Sequence, residues 1–148
     1  MPMETALPPV AILGGLTEPA LSLLSKEAHR LVVGPGAIVV REGEPGNQLF
    51  LIESGSVRVC KRWGQPDETE FAQLGPKDFF GEMCILETLP RSATVQAITE
   101  TVLFRLSAMT FYHLYKALPD QYGFLVLNIA RDLSRRLRRL DEAFAARH

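Results

Sequence analysis

Phe80-Gly81-Glu82-Met83-Cys84-Ile85-Leu86-Glu87-Thr88-Leu89-Pro90-Arg91-Ser92-Ala93-Thr94-Val95 sets a glycine, a carboxylate and a short apolar run ahead of a loop and an arginine. Glycine has no Cβ, so the backbone at Gly81 can approach a ligand closely and take positive φ. If Glu82 to Leu86 wind into one helical turn, the unpaired amides after Gly81, those of Met83 and Cys84, point at an anion, which the helix dipole also favours. Arg91 follows Glu82 by nine residues. A guanidinium grips a phosphate through two parallel charge-assisted hydrogen bonds, each worth about 1.5–3 kcal/mol net. Glu82 repels a phosphate but accepts well from a ribose hydroxyl, as acidic residues do in dinucleotide folds. Ser92 adds a hydroxyl that reaches the phosphate or caps the next strand. Ala93 is small enough for close ligand approach. The residues therefore point to a sugar and a phosphate held together.

On either side of this run the apolar period changes. Thr17-Glu18-Pro19 is a helix-start signal, with Thr17 as N-cap and Pro19 tolerated in the first turn. Leu21, Leu24 and Ala28 then recur at helical spacing, and Gly34-Pro35-Gly36 closes the segment. Between about residues 37 and 107 the period is two, and short Val-, Ile- and Phe-rich runs are broken by turn clusters such as 42–47, 64–68 and 75–78. That pattern predicts a sandwich or barrel rather than a parallel α/β sheet. After Ser107 the helical period returns. A short helix is predicted over 109–118, and Pro119 ends it and starts a long one reaching about 146. On that helix Val126, Ala130, Leu133, Leu137, Leu140 and Phe144 alternate by fours and threes, a heptad seam that predicts pairing with a second chain. Leu125 and Ile129 widen the stripe toward the barrel.

The opening run resembles the phosphate-binding cassette of cyclic nucleotide-binding domains, found in catabolite activators, kinase regulatory subunits and nucleotide-gated channels. The resemblance extends to the Gly43-Glu44-Pro45-Gly46-Asn47 turn and the Ser54-Gly55-Ser56-Val57-Arg58-Val59 strand start, and covers roughly residues 16–140. It implies a mainly β fold with flanking helices: an eight-stranded jelly-roll β-barrel, an N-terminal helix and a long C-terminal helix. It also implies a ligand site of Gly81, Glu82, Met83, Cys84, Arg91, Ser92 and Ala93. The base would lie against Val59, Phe71, Ala72 and Leu74, residues equally readable as plain core. Arg136 and Leu140 occupy positions whose relatives approach the phosphate or the base, with Arg135 replacing Arg136 after a one-residue shift as the alternative and Asp141 able to accept from an exocyclic amine. The ligand implied is cyclic AMP, favoured modestly over cyclic GMP because Ser92 rather than Thr follows Arg91. No other cofactor is expected.

Length and composition narrow the field. The 148 residues fit one domain, with residues 1–16 expected as a loose arm and 17–148 as the folded unit. Net charge is −1, but residues 124–148 hold six Arg against three acids. The cluster of Arg131, Arg135, Arg136, Arg138 and Arg139 reads as a solvated helix face near a dimer seam or a bound anion, with nucleic acid or a membrane surface as the alternative. Cys60 and Cys84 sit in apolar runs and read as buried reduced thiols, and His29, His113 and His148 share no ligand spacing. No signal peptide and no transmembrane run is present, so the expected location is cytoplasmic. No Ser-His-acid set or metal cluster suggests an enzyme. No helix-turn-helix follows the long helix before His148, so the expected output is a separate protein effector. The alternatives are a dimeric scaffold with a vestigial pocket and the sensor piece of a larger regulator, channel or transporter.

Overall fold

Leu49-Phe50-Leu51-Ile52 is buried along its whole length, so this strand must be covered on both faces. The structure, a computed structural model, describes residues 7–82 and 90–147. It meets that demand with two antiparallel four-stranded sheets and a layer of helices. The strands are β1 (His29–Val33), β2 (Ile38–Val40), β3 (Gln48–Ser54), β4 (Val57–Lys61), β5 (Thr69–Leu74), β6 (Phe79–Phe80), β7 (Thr94–Ala97) and β8 (Thr101–Ser107). One sheet runs β1-β8-β3-β6 and the other β2-β7-β4-β5, the crossed order of a jelly roll. The expected mainly β architecture with eight strands and flanking helices is the one observed.

Because side chains alternate across a strand, β3 feeds two cores. Phe50 and Ile52 join Val57, Val59, Phe80, Val95 and Leu103 between the sheets. Leu49 and Leu51 face the helices with Phe79, Phe104 and Leu106. Against that outer face pack α1 (Glu18–Glu27), α2 (Ala108–Ala117) and α3 (Pro119–Arg147), through Leu24, Phe111, Leu114, Leu125 and Ile129. Ser107 caps α2 by accepting from the Thr110 amide at 3.3 Å. Thr17 precedes α1 with extended backbone, but its side chain makes no cap bond. Its amide instead donates to Gln121 Oε1 at 2.8 Å, which ties α1 to α3.

Three expectations are corrected. The arm over residues 1–16 is not loose from residue 7 onward: Val10, Ile12, Leu13 and Leu16 are buried, with a 3-10 turn at Ala11–Leu13. Asn128 on α3 fastens that turn by donating to the carbonyls of Ile12 and Gly14, both at 2.9 Å. Barrel pairing begins at His29 rather than near residue 37, because His29–Val33 is a strand paired with β8 and Gly34-Pro35-Gly36 turns one strand into the next. The third concerns the heptad stripe. At about 100° per residue the six seam residues fall within one arc of about 80°, and Leu133 and Leu140 lie at its edge nearest Leu125 and Ile129. Leu133 accordingly packs on the chain's own core. Leu137 is 61% exposed, and Ala130 and Phe144 are exposed beside it.

Ile12 is 1% exposed. Truncating a fully buried Ile to Ala typically costs about 2–5 kcal/mol. Ile12→Ala is therefore expected to lower unfolding free energy by that amount in urea titration, whereas a loose arm would give a change under about 0.5 kcal/mol.

Candidate functional site

Strand β6 has only two residues, yet it aims the cassette. Phe80 pairs with Phe50 and stacks on its ring at 4.9 Å, with 13° between the planes. The chain then turns at Gly81, where φ is +88°. A Cβ there would lie 2.6 Å from the Gln48 carbonyl oxygen and 2.8 Å from Arg91 Nη1. Glycine is required at 81 by both conformation and space.

Arg91 reaches the same spot from the other side. Its backbone is bracketed by the 43–46 turn: the Arg91 amide donates to Glu44 O and the Gly43 amide donates to Arg91 O, each at 2.8 Å. Its Nη1 donates to Gln48 O at 3.1 Å, and the guanidinium sits 5.8 Å from the Phe50 ring centroid. Gly46 lies so close that an added Cβ would overlap Arg91 Nε and Cζ. The guanidinium is thus threaded between two glycines, with one N–H committed to a carbonyl and no ion-pair partner among the described residues.

Around Arg91 opens a cavity of about 380 Å³. Gly81, Glu82, Ser92 and Ala93 line the end nearest Arg91, and Val59, Phe71, Ala72 and Leu74 of β4 and β5 form an apolar wall. Volume and lining are those of a small-molecule pocket, typically about 300–1,000 Å³ with a few convergent polar groups. Every described residue expected at the site borders this one cavity. Met83 and Cys84, with the rest of 83–89, lie outside the described residues. Leu140 and Arg136 reach the cavity from α3, as does Arg139, named from the sequence only as part of the Arg-rich helix face. Asp78, in the 75–78 turn cluster, also borders it, with Oδ2 accepting from the Gly75 amide at 2.9 Å. Gly46, Gln73 and Val40 were missed as well. Only Gly46 had a visible signal, its place in a glycine-rich turn.

Arg136 is at the cavity, but its charge is already engaged. Nη2 donates to Phe79 O at 2.9 Å, Nε is 2.8 Å from Asp132 Oδ2, and the guanidinium lies 4.4 Å from the Phe79 ring centroid. Arg135 lies farther from the same carboxylate, at 3.9 Å. Cys60, on β4, is fully buried, and burial pushes its thiol pKa up, which suits a packing residue rather than a nucleophile. Among the described residues no group of three His, Cys, Asp or Glu side chains is placed to hold a metal, and no helix is long and apolar enough to cross a membrane.

Comparison with known proteins agrees with this geometry. The family model described as the cyclic nucleotide-binding domain matches residues 30–117. A CRP-like cAMP-activated global transcriptional regulator of Mycobacterium tuberculosis is 32% identical over 97% of this chain, which spans 62% of that relative's length. A cyclic nucleotide-gated potassium channel of Rhizobium etli is 42% identical over 60% of the chain, which covers 23% of the channel. A solved cyclic nucleotide-binding domain from Methylobacillus flagellatus superposes with a TM-score of 0.84 at 22% identity, over 95% of this chain and 82% of that one; it shares the fold.

The threading of Arg91 generates a prediction. Gly46→Ala is expected to displace the guanidinium and weaken binding of a phosphate ligand at this cavity about tenfold or more, the loss of roughly one charge-assisted bond. Unfolding free energy should change by less than about 1 kcal/mol, since no apolar contact is removed. Calorimetric titration and urea denaturation of the same preparation check both halves.

Proposed function

The chain belongs to the cyclic nucleotide-binding domain family, and from that membership we propose that it is a cyclic-nucleotide receptor with cyclic AMP as its ligand. The observation that carries this reading is Arg91, fixed by the 43–46 turn and Gln48 at the mouth of a cavity whose far wall is apolar. A 3′,5′-cyclic phosphate carries one negative charge, needs no metal and suits a single guanidinium with helix-end amides. In this reading Arg91 keeps its bond to Gln48 O and turns its remaining N–H groups to the phosphate. Glu82 accepts from the ribose 2′-hydroxyl, and the Ser92 hydroxyl joins the phosphate contacts. The base lies on Val59, Ala72 and Leu74 and is covered from α3 by Leu140, which is 52% exposed without it. Burying the exposed half of a leucine adds about 1 kcal/mol. Cyclic AMP is favoured by Ser92, and one relative is described as cAMP-activated.

No step in this reading makes or breaks a bond. The output is mechanical: nucleotide favours the position of α3 that covers the base, a population shift driven by differential affinity. The exposed stripe of Ala130, Leu137 and Phe144 then serves as the contact with a second copy, and the downstream effector is a separate surface or protein. The alternative, a dimeric scaffold with a vestigial pocket, gives no reason for a guanidinium to be held between Gly46 and Gly81 with no carboxylate partner among the described residues.

Two outcomes are expected. Cyclic AMP at 100 times its dissociation constant should add about 2.7 kcal/mol of stability, raising the melting temperature by about 5–10 °C, with 5′-AMP far less effective. Arg91→Leu should abolish that shift while leaving the nucleotide-free melting temperature within a few degrees; equal shifts from 5′-AMP and cyclic AMP would remove the cyclic-specific reading. For pairing, Ala130→Glu with Leu137→Glu should convert a dimer to a folded monomer in sedimentation equilibrium. An unmutated protein that stays monomeric at tens of micromolar, with and without cyclic AMP, would refute the pairing.

A further inference from the structure

We propose that Arg136 is a positioning residue: with Asp132 and Phe79 it forms a latch that fixes α3 over the cavity, and it is not itself a ligand contact. Three interactions converge on one guanidinium. It donates to the Phe79 carbonyl at 2.9 Å, lies 4.4 Å from the Phe79 ring centroid, and pairs with Asp132, one helical turn back, at 2.8 Å. Asp132 is only 14% exposed at its side chain, so the pair is shielded from solvent and screened less than a surface pair. A planar guanidinium can stack on a ring while bonding in its own plane, which lysine cannot do.

Placement gives these contacts their meaning. Phe79 is the first residue of β6, whose second residue, Phe80, leads into Gly81 and Glu82. Phe80 stacks on Phe50, and Phe50 faces the Arg91 guanidinium. The latch therefore joins α3 to the strand that aims the cassette, through two adjacent residues. It acts on the helix where hydrophobic anchoring fades: Leu125 and Ile129 are fully buried, Leu133 is partly buried, and Leu137 and Leu140 are exposed. Beyond Leu133, Arg136 bonds α3 to the barrel through the Phe79 carbonyl. Leu140, one turn further on, takes its place at the cavity from this contact. A guanidinium ion-paired to Asp132, with one Nη bonded to a carbonyl and its face on a ring, has little left for a phosphate.

The inference uses the cyclic-nucleotide reading for its affinity arm only. Hydrogen exchange of α3 in the nucleotide-free protein tests the latch directly. Arg136→Ala and Asp132→Ala are each expected to speed exchange of amides 137–146 about tenfold or more while sparing those around Leu125 and Ile129. The double variant should exchange no faster than either single, since all three break one unit. Arg136→Lys, which folds with the charge kept, should behave like Arg136→Ala. In the affinity arm, both single variants should raise the cyclic AMP dissociation constant about tenfold, a change of 1.4 kcal/mol. Weakened binding in Arg136→Ala with Asp132→Ala unaffected would make Arg136 a ligand contact and overturn the latch. Unchanged exchange in both variants would overturn it too. If the unmutated protein binds no cyclic nucleotide, the functional reading fails while the exchange result still decides the latch.

Discussion

A single cation wedged between two backbone segments organises this molecule. Arg91 has no carboxylate partner among the described residues; its guanidinium is held by one carbonyl, one aromatic face and the absence of two Cβ atoms. Keeping it in that place takes surrounding backbone that stays put. The jelly roll supplies that rigidity. Gln48 begins β3, which is bonded to β8 and β6 and buried on both faces, so the carbonyl facing Arg91 is as fixed as the core itself. The 43–46 turn is held by its two hydrogen bonds to the Arg91 backbone, so the arginine orders the loop that confines it.

The same economy of parts explains why β6 can be so short. Two residues cannot hold a strand by hydrogen bonds alone, and Phe79 and Phe80 hold it by packing in opposite directions. Phe80 enters the core between the sheets and Phe79 the core beneath the helices. Any displacement of the cassette therefore disturbs both cores at once. Close-packed interiors resist gradual deformation, so such an arrangement favours discrete positions over a continuum.

What was legible in the sequence was what local chemistry dictates. Gly81, Glu82 and Arg91 stood out because their residue types are restricted at a phosphate cassette, and the strand period between 37 and 107 announced the barrel. What was hidden depended on partners far along the chain. Val10, Ile12 and Leu13 follow no helical or strand period, and Asn128, more than a hundred residues away, holds the turn through the carbonyls of Ile12 and Gly14. The strand at His29–Val33 was masked by the helix signal before it and a Gly-Pro-Gly that reads as a stop. Arg136 could be placed near the cavity from its position on the helix. That its charge is taken up by Phe79 and Asp132 depends on where a two-residue strand lies, which no spacing reveals.

The long helix shows how one periodic pattern can carry two meanings. A seam read at 3.5 residues per turn drifts by about 20° per heptad on a straight helix of 3.6. Over the four turns from Leu125 to Leu140 that drift, with the wide stripe, blends two faces into one apparent row. Leu125, Ile129, Leu133 and Leu140 make the edge of the stripe that meets the barrel and the cavity, and Ala130, Leu137 and Phe144 make the adjoining exposed edge, centred about 75° away. A second copy docking on the latter would leave the former free to cover a ligand, so the two roles do not compete for the same side chains. They are coupled nonetheless, because both faces are on one rigid rod whose near end is pinned at Leu125 and Ile129. A tilt that brings Leu140 toward the cavity also moves Leu137, and at about 1.5 Å of rise per residue the stretch beyond the Arg136 contact extends about 16 Å. A few degrees at the pinned end become more than an ångström at the tip, enough to repack an interface.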